Sequence, residues 1–206
     1  AAQSIFGTGV LLFGTPILLI LGYDFQSILI ILLPTSILIS FFQIKADFNK
    51  IDFSFFKSII LFSIPFVIIF LYYFKNIPIK INIFIGIFLV FISQKESLSI
   101  VKNTLKILFR YEYLILIIIG IIHGMTNLGG ALLSAIIFNK NLSKKSKRAT
   151  IAICYLAFAL FQFSTLIISG IGDFLNKQHF LYWSMGPTVF YLTEKYIYFK
   201  VEEKSY

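Results

Sequence analysis

Residues 113–138 read YLILIIIGIIHGMTNLGGALLSAIIF, twenty-six residues without a single charge. As one continuous α-helix this stretch would be about 39 Å long, more than the roughly 30 Å of a bilayer's hydrocarbon core. Its middle holds Gly124, Gly129 and Gly130 beside His123, Thr126 and Asn127. Each glycine inside a helix costs about 1 kcal/mol relative to alanine. Backbone left unpaired at membrane depth survives only where protein or a water-filled cavity satisfies it. The stretch therefore predicts a membrane helix broken at its middle.

The rest of the chain carries the same signature. Of 206 residues, 58% are hydrophobic and 13% charged, with a mean hydropathy of +0.90. A soluble domain carries about a quarter charged residues. At roughly 20 apolar residues per crossing, the blocks predict seven spans: about 4–21, 25–44, 55–74, 77–93, 113–138, 149–169 and 179–199. The fold class is an all-α integral membrane protein, with residues 1–206 as one membrane domain.

The net charge of +9 does not predict nucleic-acid binding, because Lys and Arg lie between the apolar blocks, where lipid headgroups are. The lipid bilayer is the expected partner. Residues 94–112 form a basic amphipathic connector. In it Leu98, Val101, Leu105 and Leu108 share one helical face, while Lys102, Lys106 and Arg110 repeat every four residues on another. The pattern fits an interfacial helix or an extension of a neighbouring span. Counted over seven simple crossings, basic residues split eight against ten between the two sides. Orientation stays open on that count: a span is missing, or one of the seven is not a simple crossing.

A second interruption lies in the first span, as Phe6-Gly7-Thr8-Gly9 followed by Gly14-Thr15-Pro16. Aligning Gly7 with Gly124 brings Phe42-Gln43 opposite Phe161-Gln162, within two residues. The chain thus reads as two repeats of about four helices, 1–93 and 113–206, the first helix of each broken at a glycine-rich segment. Paired interruptions of this kind point to a transporter binding site, although glycine also serves close helix packing. The expected substrate-binding residues are Gly7, Thr8, Gly9, Gly14, Thr15, Pro16, His123, Gly124, Thr126, Asn127, Gly129 and Gly130. Free amides at broken helix ends suit a small anion without a buried cation. His123 carries a proton, or is a neutral packing residue. Pro34-Thr35-Ser36 predicts a kink in the second span, its freed carbonyl taken by Thr or Ser.

No catalytic set, metal site or cofactor is expected. His123 and His179 lack an HExxH spacing, acids fall at span ends or in loops, and Cys154 stands alone in an apolar block. A membrane enzyme is thus disfavoured, and a non-transporting scaffold or assembly subunit is the alternative to a transporter. Monomer, loose dimer and homo-oligomer all stay open.

These motifs resemble the TauE/SafE family of sulfite exporter-type permeases. The resemblance rests on Phe6 to Leu19 with its Pro-x-Leu element, on Gly120 to Gly130, and on Lys147-Arg148-Ala149-Thr150. It implies a multi-pass permease of four plus four helices in a bacterial-type inner (plasma) membrane, exporting sulfite, sulfonates or related anions. The first cluster lacks the family's Gly-Gly pair, and no proline follows Gly130. With seven spans visible, the resemblance also predicts that the sequence is truncated at both ends.

Overall fold

The computed structural model describes residues 9–74, 81–93, 110–170, 177–194 and 196. The connector at 94–109, and Gly7 and Thr8 of the first cluster, lie outside the described residues. Among the described residues the α-helices are α1 (Val10–Ile20), α2 (Phe25–Asp47), α3 (Phe53–Phe62), α4 (Ile64–Phe74), α5 (Ile81–Ser93), α6 (Glu112–Thr126), α7 (Gly130–Asn139), α8 (Lys144–Ile168) and α9 (Lys177–Thr193), with no strand. Among the described residues three segments are long and apolar enough to cross a membrane: Phe25–Lys50, Phe53–Tyr73 and Lys144–Ile168.

The all-α expectation holds, and the differences from it have local causes. Asp24 and Ser143 accept the N–H groups of Ser27 and Ser146, so α2 and α8 start from capped ends. That cap draws Lys144 to Arg148, expected in a loop, into the first turns of α8. The third span divides at Ser63. Pro65 has no N–H to give the Leu61 carbonyl, and the Ser63 hydroxyl turns instead to the Leu116 carbonyl, 2.6 Å away on α6. In α2 Pro34 likewise frees the Ile30 carbonyl. The partner is not the neighbouring Thr or Ser: Trp183 Nε1 of α9 donates to it at 3.1 Å, while Thr35 bonds the Ile31 carbonyl.

The core is an antiparallel pair, α2 against α8. Their opposed direction follows from contacts at one end, where the Asp52 N–H donates to Thr150 Oγ1 at 2.9 Å and Arg148 meets Asp47. Helix α9 runs parallel to α2, touching it from Ile30 to Asp47 through Trp183, Gly186 and the Arg148–Glu194 pair. On the other flank α4 and α6 approach at backbone distance. A Cβ on Gly120 would overlap the Ser63 carbonyl oxygen, and one on Gly124 would lie 2.7 Å from that of Val67. This Gly-x-x-x-Gly face is packing geometry.

The fifth span breaks where the glycines predict, and its two arms fold back on each other. Lys140, just past α7, bonds Glu112 at the start of α6 at 2.8 Å, and Ile115 and Ile136 share a crevice between the arms. Helices of 15 and 10 residues reach about 22 and 15 Å, so α6 and α7 form a helical hairpin entering from one side. Lys45, Lys50, Lys57, Arg110, Lys140, Lys144, Lys145, Lys147 and Arg148 then all lie toward that side. At the opposite end the described loops, 21–24 and 169–170, carry no Lys or Arg, and Lys177, the first residue of α9, is the one basic residue described there.

Two outcomes are expected. In a Cys154→Ala background, Glu112→Cys and Lys140→Cys should react with an impermeant thiol reagent from the same face of sealed vesicles; reaction from opposite faces would exclude the hairpin. Gly120→Leu should lower stability by about 1–3 kcal/mol through overpacking, read as a lower melting temperature in detergent. Gly86→Ala, inside α5 with open space around its Cβ, should not lower it and is expected to raise it slightly.

Candidate functional site

Asn127 makes the break. It is the one non-glycine residue with positive φ among those described (φ 63°), and its N–H closes α6 on the His123 carbonyl at 2.9 Å. Asparagine tolerates this left-handed geometry better than most side chains. Thr126 Oγ1 bonds the Ile122 carbonyl at 2.7 Å and accepts the Leu128 N–H at 3.2 Å, satisfying two backbone groups at the turn. Gly129 and Gly130 then start α7. A Cβ on Gly129 would lie 2.6 Å from His123 Cβ, and one on Gly130 would overlap the Tyr155 hydroxyl.

His123 is fully buried. Its Nε2 lies 3.1 Å from Gln162 Oε1, and Gln162 Nε2 donates back to the His123 carbonyl at 3.3 Å. That second bond orients the amide, so Nε2 carries the imidazole proton and Nδ1 is the bare nitrogen. The ring stacks on Phe158 at 4.4 Å and meets Tyr155 edge-on at 6.4 Å. Asn127 Nδ2 donates to Thr15 Oγ1 at 3.0 Å, tying the two glycine segments together across 112 residues of sequence. Two side-chain atoms at the break have no protein partner among the described residues, His123 Nδ1 and Asn127 Oδ1. With the proton on Nε2 both are acceptors, the kind of group that a proton donor satisfies.

The cavity lies on the other side of α1. It has a volume of about 470 Å³ and is walled by Gly9, Val10, Phe13 and Gly14 of α1 and its cap, Leu32, Thr35 and Ile39 of α2, and Met185, Gly186, Val189 and Phe190 of α9. Thr35 is the eleventh of the twenty-three residues of α2, which sets the cavity midway along that helix. Its described walls carry no charge. Gly9 is the N-cap of α1 and lines the cavity, so the positive end of that helix's dipole lies beside it.

The predicted site residues therefore divide. Gly9 and Gly14 line the cavity. Thr15 and Asn127 bond each other, and Pro16 lies within α1 one residue further on. His123, Thr126, Gly129 and Gly130 hold the hairpin tip together, and Gly124 packs against α4. Sequence reasoning missed the wall supplied by α9, whose signal was Gly186-Pro187 in the weakest span. It also missed Arg148, 5% exposed, which pairs with Asp47 at 3.5 Å and more closely with Glu194. The signal there was an arginine and two acids at the ends of three different spans. Among the described residues no group of His, Cys, Asp and Glu is arranged to hold a metal ion.

A protein-family model described as Sulfite exporter TauE/SafE matches residues 1–192 of the chain. No curated protein and no solved structure matches it.

The His123–Gln162 bond should be measurable as a coupling energy. A double-mutant cycle with His123→Phe and Gln162→Leu is expected to give about 0.5–1.5 kcal/mol, the range of side-chain hydrogen bonds between membrane helices. Additive effects on unfolding in detergent would show that the pair does not hold the hairpin tip.

Proposed function

The chain belongs to the sulfite exporter TauE/SafE family, and on that premise we propose that it is a secondary transporter of a small anion, sulfite or a sulfonate or a related sulfur-containing organic anion. We read it as a multi-pass protein of the inner (plasma) membrane that carries its substrate without chemical conversion. The observation that carries this reading is the cavity among α1, α2 and α9, halfway along α2. A site near the bilayer midplane, beside interrupted helices, is what alternating access needs.

The cavity's chemistry favours an anion with an organic part. Its walls are mostly apolar, and the N-terminus of α1 at Gly9 offers the positive end of a helix dipole. An alkyl sulfonate would set its carbon chain against Phe13, Leu32 and Val189 and its oxygens toward Gly9. Orientation follows from the hairpin. With α6 and α7 returning to the side they leave, the nine basic residues at that side face the cytoplasm by the positive-inside rule.

Two inverted repeats are part of the same reading. Gln43 and Gln162 are each the nineteenth residue of their helix, α2 and α8 are antiparallel, and each follows a glycine-started helix, α1 or α7. One observation favours the scaffold alternative for the second cluster: His123, Thr126, Asn127, Gly129 and Gly130 are all packed into the protein.

Flux separates the readings. Vesicles carrying the full-length protein should move at least one of sulfite, sulfate, thiosulfate and ethanesulfonate. Val189→Trp, which adds bulk to a cavity wall whose side chain is 54% exposed, should cut that flux about tenfold or more while insertion stays normal. Flux of none of the four by the correctly inserted parent would exclude the anion reading. Flux indifferent to Val189→Trp would move the substrate away from this cavity.

A further inference from the structure

The Arg148 cluster lies beyond one end of the cavity, past Ile39 on α2 and Phe190 on α9. Asp47 is the last residue of α2, Arg148 the fifth of α8, and Glu194 follows the last residue of α9. Arg148 is 5% exposed, and the Asp47 and Glu194 side chains are 16% and 14% exposed. One guanidinium thus joins two of the three cavity-forming helices, α2 and α9, to the central helix α8. Phe190 of the cavity wall is one turn before Glu194, and Ile39 is about 12 Å along α2 from Asp47. At the other end α9 is pinned to α2 by Trp183 on the Ile30 carbonyl. Between these two attachments Gly186 packs against Thr35, and α1 lies beside both helices to complete the cavity.

We propose that the Arg148–Glu194 pair is the cytoplasmic gate of this cavity and that Arg148 is an anion-docking residue, a substrate oxyanion replacing Glu194 on the guanidinium as α9 moves away while Asp47 keeps its hold. The proposal rests on the transport reading above. Its physical basis is the cost of separating charges out of water. Pulling Glu194 off a desolvated guanidinium leaves that charge undercompensated, so the empty protein stays shut. An arriving sulfonate or sulfite offers the same kind of oxygen acceptor in the same place. The guanidinium has five N–H donors in a planar fork, enough for Asp47 and a second oxyanion together. Lysine lacks that fork, so charge alone does not substitute. The gate is therefore opened by the class of ion it passes, and an unloaded protein does not leak.

The test reads the gate without needing flux. In the full-length Cys154→Ala protein, Ile39→Cys puts a thiol on a cavity-lining residue that is 2% exposed. Its reaction with an impermeant maleimide is followed from the cytoplasmic face of vesicles, with and without ethanesulfonate or sulfite. Glu194→Gln should speed labelling about tenfold. Ethanesulfonate or sulfite should speed it in the parent and add nothing in Glu194→Gln. Arg148→Lys should remove the anion's effect. Should Glu194→Gln insert poorly, Glu194→Asp, which lengthens the pair and keeps the charge, should give a smaller rise in the same direction. Equal rates in the parent and in the properly inserted Glu194 variant would overturn the gate. Faster labelling in that variant, with neither anion affecting the parent, would overturn the exchange at Arg148. Failure of the transport reading is a separate result, seen as absent flux through a parent whose gate still responds to Glu194→Gln.

Discussion

Backbone groups that leave a helix at the depth of a bilayer must be satisfied by the protein itself, and the architecture of this chain depends on how each interruption meets that constraint. The carbonyl freed by Pro34 is taken by Trp183, which brings α9 to α2. The Ser63 division makes a contact without closing its own freed carbonyl: the serine hydroxyl donates to the Leu116 carbonyl, which joins α4 to α6. The turn at Asn127 is closed by Thr126 and by the asparagine's own left-handed backbone, while the Asn127 amide reaches Thr15 on α1. Each defect in a helix is thus also a contact between helices.

How much was legible in the sequence follows from that pattern. Helix type and approximate span positions can be read from local composition, because apolar runs of bilayer length have few alternatives. The break at Asn127 was equally local, carried by three glycines and an asparagine in one short stretch. The direction of the chain after the break was not. Whether α7 continues α6 or returns along it is decided by Lys140 on Glu112 and by the Tyr155 hydroxyl against Gly130, contacts with residues far away in sequence. The tie in the charge count was the one local trace of this return.

The candidate site was less legible for the same reason. Glycines that line a cavity and glycines that seat a neighbouring backbone look alike in one dimension. Gly14 faces Leu32 beside the cavity and Gly124 faces the Val67 carbonyl, and only the neighbour distinguishes them. Arg148 was hidden differently. In sequence it ends a run of surface-type lysines, and its burial follows from the antiparallel meeting of α2 and α8 with α9 alongside.

The hairpin formed by α6 and α7 also constrains how the protein is made. Both arms are short of a full crossing, and the tip that holds them needs Tyr155, Phe158 and Gln162. All three belong to α8, which leaves the ribosome after the hairpin. The packing of its tip therefore cannot be completed in chain order: it forms only once α8, synthesised later, is in place.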